Sequence, residues 1–130
     1  MNIAEFIAAE AQKHFRWGET DCVSTTDRWI NLCTGLSPLV WVGRSYSSED
    51  QAASILEDRG GLAVLVNRAM RAVGIVKTAE PRPGDVGLII PDGKLCMAIH
   101  AGDYWFSHDA SGLIGAPLNS VWKAWRIECR

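Results

Sequence analysis

The chain has no CxxC pair, and its four cysteines (Cys22, Cys33, Cys96 and Cys129) are widely scattered. That spacing excludes a local zinc ribbon and offers no disulfide framework. A basic surplus is also missing: 13 Lys and Arg stand against 15 Asp and Glu, a formal net charge of -2. Nucleic acid is therefore not expected as the main partner, because binding phosphate requires a basic face. Long apolar runs are absent. The two longest, residues 62–66 and 86–90, are far shorter than the ~20 residues that cross a bilayer, so no membrane span is expected. The first residues carry Glu5, Glu10 and Lys13 among apolar ones, the pattern of an amphipathic helix and not of a secretory leader. Synthesis in a cytoplasm is the expectation. No repeat, low-complexity tract or linker divides the chain, so residues 1–130 are expected to form one domain.

The composition that remains, 48% hydrophobic and 22% charged, suits a folded globular chain with one core. Six tryptophans are many for this length. Trp17, Trp41 and Trp105 sit beside glycines or turn residues and are expected to line a groove. Trp29, Trp122 and Trp125 fall in periodic segments and are expected in the core. Cys33 and Cys129 read as buried small hydrophobes.

Apolar spacing predicts helices over 2–15, capped by Asn2, and over 21–34, stopped by Gly35. A loop rich in Gly, Pro, Ser and Trp follows to Tyr46. Ser48 with Gln51 resembles a capping box for a third helix, whose apolar face is Ala52, Ala53, Ile55 and Leu56. Gly60-Gly61 ends it, and a fourth helix runs over 62–73. Beyond Pro81-Arg82-Pro83-Gly84-Asp85 the period changes from helical to alternating. Strands are predicted over 86–90, 94–101, 104–109 and 122–128, with a hairpin turn at Gly102-Asp103. Helices first and an antiparallel meander second make an α+β fold, with N-terminal helices packed on a small antiparallel sheet. In the second strand Leu95, Met97 and Ile99 form a bulky core face. Cys96, Ala98 and His100 form a small face suited to close packing by the helix that begins at Cys22.

Cys22 is the residue best placed for chemistry. Thr20 and Asp21 before it are both N-cap residues, so Cys22 falls in the first helical turn. Free N–H groups and the helix dipole there favour an anion, so a lowered thiol pKa and a usable thiolate are expected. Asp21 reads as a cap, Asp85 as a turn residue, and His14 as a surface residue at a helix end. Arg44 and Tyr46 read as structural or partner-contacting residues, while Asp109 and Ser111 flank a glycine-containing loop.

The order of these parts carries a resemblance. Asp21-Cys22 at a helix start, then Pro83-Gly84-Asp85-Val86, then a hairpin turning at Gly102-Asp103 resemble the NlpC/P60 group of papain-like cysteine peptidases. Proteins of that group cut peptide stems of bacterial cell walls. More narrowly, four segments resemble small proteins of this fold encoded in the tail modules of tailed phages and prophages. They are Trp17-Gly18-Glu19-Thr20-Asp21-Cys22-Val23, Gly43-Arg44-Ser45-Tyr46, Gly60-Gly61-Leu62 and Ala124-Trp125-Arg126. The resemblance spans nearly the whole chain and implies a papain-like NlpC/P60 domain. It puts Cys22 at the nucleophile, Cys96 at the position of the histidine base, and His108 at the orienting position. A thiol thus stands where the pattern has an imidazole, and a thiol is a poor proton acceptor near neutral pH.

Three expectations follow for Cys22, Cys96 and His108. In the first, the fold is a structural or binding module of a phage tail tip or of tail assembly, partnered by other tail proteins and located in the virion. In the second, His108 or His100 serves as base, and the protein is a cysteine endopeptidase or amidase acting on cell-wall peptide. His100 lies about 13 Å along the strand from Cys96, too far to fill the same spot. In the third, the three residues gather a metal or form a disulfide, although a structural zinc site takes four ligands. No cofactor is implied.

Overall fold

A computed structural model describes residues 2–129. Four of the five α-helices among the described residues start where a side-chain cap satisfies free backbone N–H groups, and the one after Gly61 has none. Helix α1 (Ile3–Ala11) begins under Asn2, whose side chain accepts the Glu5 N–H at 2.9 Å. It ends before the predicted residue 15 and buries Phe6 and Glu10. Glu10 tolerates burial because Arg28 reaches it twice, at 2.6 and 2.8 Å, and Lys13 once, at 3.0 Å. Helix α2 (Cys22–Thr34) is capped by Asp21 and closed by left-handed Gly35. A five-residue helix, α3 (Pro38–Val42), stands where only a loop was predicted. Ser37 accepts the Val40 N–H and Pro38 opens the first turn, a start signal hidden inside a loop-like composition.

Helix α4 (Glu49–Arg59) is capped by Ser48, which accepts the Gln51 N–H at 3.2 Å. The Gln51 side chain reaches back to the N–H of Ser47, so the box closes one residue early. Of its predicted apolar face only Ile55 is fully buried, and Ala53 is exposed. Helix α5 (Leu62–Val73) keeps its predicted bounds and buries Leu65, Val66, Ala69 and Met70.

Among the described residues six strands follow: β1 (Lys77–Thr78), β2 (Val86–Ile89), β3 (Cys96–His100), β4 (Trp105–Asp109), β5 (Gly112–Ala116) and β6 (Val121–Trp125). They form one antiparallel sheet in the order β1-β6-β2-β3-β4-β5. β1 and β5 were not predicted; β1 has two residues, and Gly112 and Gly115 dilute the strand signal of β5. Only residues 117–120 connect β5 to β6, yet three strands separate them in the sheet. The sheet therefore curls, and its concave side closes on one cluster of Ile89, Cys96, Ala98, Trp105, Ala116 and Ala124. Trp105 is fully buried there and donates its indole N–H to the Leu118 carbonyl at 3.1 Å. A Cβ on Gly87 would lie 2.9 Å from the Trp105 ring and 3.0 Å from the Lys123 carbonyl oxygen, so this strand position requires glycine.

The outer side of the sheet packs on the helices through Phe6, Trp29, Ile30, Met70, Leu88, Met97, Ile99 and Phe106. This corrects the expected use of β3: α2 packs on the Met97 and Ile99 face, while Cys96 and Ala98 turn toward Trp105. The large indole of Trp105 needs small neighbours more than a helix does. The tryptophans need two corrections. Trp29 and Trp125 are core, as expected, but Trp105 is core and not groove, and Trp122 on β6 is 53% exposed.

The second cysteine pair is also corrected. Cys129 is exposed and disulfide-bonded to Cys33 on α2, so these two are not separate buried hydrophobes. The same end of the chain is held by Asp85, which is fully buried and accepts from Arg126 Nε at 3.0 Å and from the Ile127 N–H at 2.9 Å. Among the described residues no helix is long and apolar enough to cross a membrane.

Candidate functional site

The segment before α2 is built around Asp21. Its carboxylate accepts from the backbone N–H groups of Val23 and Ser24, both at 3.0 Å, and of Gly18 at 2.6 Å. It also accepts from the hydroxyls of Ser24 at 3.1 Å and Tyr46 at 2.8 Å. Asp21 is thus a cap and a hub, with its acceptor capacity taken up by structure. Gly18 has φ +83, and a Cβ there would collide with the Tyr46 carbonyl oxygen. The loop 43–46 is thereby fixed against the entrance of α2. Burial pushes the Tyr46 phenol up from its ordinary pKa, and the Asp21 charge adds to that, so Tyr46 acts as a neutral donor.

Cys22 follows in the first turn, against both apolar clusters. The residue keeps some surface, but its thiol is enclosed. Burial pushes the thiol pKa up to about 12, and the nearby Cys96 and Asp21 add to the rise. Hydrogen bonds from the backbone N–H groups of Met97 and Val23 offset only part of it. The lowered pKa expected from the helix terminus is therefore reversed: the desolvation of a thiolate outweighs the helix dipole, whose effect is typically 0.3–1 kcal/mol.

Cys96 lines the same cavity. Burial raises its pKa too, with the Asp109 charge adding and the Ser107 hydroxyl opposing. His108 is 3% exposed, stands on the Phe106 side of β4 and also lines the cavity. Its ring meets the edge of Phe15 at 5.6 Å between centroids. Its Nδ1 is buried and makes no hydrogen bond among the described residues. The cavity has a volume of about 550 Å³. Its lining takes in Phe15, Trp17, Cys22, Tyr46, Cys96 and His108, apolar side chains of α3, α4 and α5, Leu113 and Ile114 of β5, and the charged Asp27, Arg44, Asp92, Lys94 and Asp109.

Of the four candidate residues, the fold brings Cys22, Cys96 and His108 together around this cavity. His100 stands apart, at the far end of β3. Its Nδ1 accepts the Gly102 N–H at 3.1 Å, and its ring packs edge-on against Trp105 at 5.1 Å. It holds the hairpin. Among the described residues no group of three His, Cys, Asp or Glu is placed to hold a metal ion. Phe15 is the neighbour of His108 that sequence reasoning missed; nothing but its place beside Trp17 marks it. Trp17 lines the cavity, whereas Trp41 is 45% exposed. Chemically the arrangement offers an apolar chamber, two neutral thiols and one imidazole with a free ring nitrogen.

A family model described as "Domain of unknown function (DUF6950)" matches residues 1–127. No match was found among curated proteins or among solved structures.

Proposed function

The chain belongs to the DUF6950 family of domains of unknown function, and from that premise we propose that it is a non-hydrolytic binding module of NlpC/P60-like type, serving in the tail of a phage or prophage. The observation that carries this reading is the setting of Cys22. Its thiol is enclosed, takes its hydrogen bonds from backbone N–H groups and has a second thiol, Cys96, beside it. A nucleophile needs a base and a populated thiolate. Here burial keeps the sulfur protonated, and the position that the resemblance gives to the base is itself a buried thiol. What the chamber retains is the ability to bind: a large, mostly apolar lining with a minority of polar and charged groups, the usual make-up of a ligand site. The occupant in this reading is an apolar segment of a neighbouring tail protein.

The second reading, a cell-wall endopeptidase, is favoured by one observation: Cys22 and His108 line the same cavity, and His108 Nδ1 is uncommitted. Three measurements separate the readings. The binding module predicts slow alkylation of Cys22 at neutral pH and no release of peptide from purified peptidoglycan. It also predicts tail assembly that survives Cys22→Ala but fails when Leu65→Glu fills the chamber with charge. Rapid alkylation, together with wall hydrolysis that Cys22→Ala and His108→Ala abolish, would establish the peptidase instead.

A further inference from the structure

The two edges of the sheet differ. β1 is two residues long, carries Lys77, and is followed by Glu80, Pro81 and Pro83, all devices that discourage pairing with another strand. β5 has none of them. It is five residues long, pairs only with β4 among the described residues, and lies in a stretch, residues 110–118, with no charged side chain and no proline before Pro117. Asp109 pairs with Gly112 across a two-residue turn, so the pairs Ser107–Ile114 and Trp105–Ala116 are also hydrogen-bonded ones. The backbone groups of Leu113 and Gly115 therefore point away from the sheet, unpaired by any strand. Four large apolar side chains with substantial exposure surround them: Ile90 at 44%, Tyr104 at 38%, Leu113 at 52% and Leu118 at 39%. A groove of about 520 Å³ lies against β5, shared with Ile90, Pro91, Asp92 and Ser120.

We propose that β5 is a dimerisation edge: two copies of this chain join their sheets by antiparallel β5–β5 pairing about a twofold axis centred on Ile114. The second copy is the occupant because the strand is complementary to itself. With Ile114 facing Ile114, Leu113 of each copy falls opposite Gly115 of the other. That pair joins the outward-pointing backbone groups of both chains. The exposed Leu113 side chain then fills the place left by the missing side chain of Gly115. It lies beside Tyr104, whose ring stands 3.5 Å from where a Gly115 Cβ would be. The paired stretch itself is neutral, and the one charged side chain lining the groove beside it is Asp92. The arrangement repeats by symmetry and covers the exposed apolar side chains at this edge.

Sedimentation velocity across a concentration series tests it. The wild-type protein is expected to be a dimer, and Leu113→Lys to weaken it at least about tenfold, since each interface receives two buried ammonium groups. Near-UV circular dichroism checks that the variant is folded. Register is read with Ile114→Cys, which should oxidise to a disulfide-linked dimer because the two residues face each other at a non-hydrogen-bonded pair; Leu113→Cys should not. A monomer at every concentration up to about 1 mM overturns the proposal. So does a dimer that Leu113→Lys leaves intact, or one in which Leu113→Cys cross-links and Ile114→Cys does not.

Discussion

Replacing Cys129 by Ser opens the bridge to Cys33, and the cost can be worked from the chain. The bridge joins residues 96 positions apart in a chain of 130. In the chain-entropy model a closed loop near this size is worth about 4.7 kcal/mol, through the freedom it removes from the unfolded state. The folded state loses little. Cys129 is exposed, so a serine there is solvated, and Cys33 becomes a buried thiol, an ordinary core group. The chain end stays docked, because Asp85 still holds Arg126 and the Ile127 N–H and Ile127 stays buried. With an unfolding entropy of about 2.1 cal/mol/K per residue, the loss corresponds to a fall in Tm of about 17 °C for a chain of 130 residues. Thermal melts of Cys129→Ser and wild type in oxidising buffer measure it. Wild type treated with a dithiol reductant should melt with the variant, and denatured oxidised wild type should titrate two thiols. Four thiols, or a Tm shift below about 3 °C, would refute the reasoning.

Other perturbations have equally definite outcomes. Cys22 should react with iodoacetamide at pH 8 at least a thousandfold more slowly than free cysteine, roughly the ratio of their thiolate fractions, and the rate should climb as pH approaches 12. Asp21→Ala should cost about 3 kcal/mol in urea unfolding. The lost cap accounts for about 1 kcal/mol, and the Gly18 N–H and Tyr46 hydroxyl left without their partner account for the rest. Gly87→Ala should destabilise by roughly 1–3 kcal/mol, because the Trp105 ring cannot retreat from a closed cluster. Acidification should destabilise the fold through Glu10. Burial alone would raise its pKa, but the hydrogen bonds and charges of Arg28 and Lys13 outweigh that and hold it below 4.5. A depressed carboxylate contributes stability above its unfolded pKa and loses it as pH falls through the folded one, so Glu10→Gln should flatten the acid limb of the stability profile. His100, whose pKa burial lowers from 6.5, acts in the same direction: its neutral form is favoured in the fold, and stability falls as pH drops below 6.5.

The helical half was legible because its signals are local. Asn2, Asp21 and Ser48 cap, Gly35, Gly60 and Gly74 stop, and the apolar spacing between them gives the bounds of α2 and α5 almost to the residue. The α3 turn escaped because its Ser-Pro start was read as loop composition. β5 escaped because two of its five residues are glycine. At the site, Cys22, Cys96 and His108 were singled out in the sequence and all three line one cavity. The protonation of Cys22 was not, since a helix terminus argues for a thiolate and only the surrounding bulk argues against one.

The sequence alone determined where helices begin and end, that strands follow them, and that one thiol opens α2, because caps, glycines and periodicity act within a few residues. Tertiary structure decided which face of β3 meets the helices, that Trp105 fills the curl of the sheet, that Cys33 finds Cys129, and that the Cys22 sulfur is desolvated. Those outcomes depend on contacts between residues far apart in the chain, where packing volume and the dielectric around a group override what its neighbours in sequence would dictate.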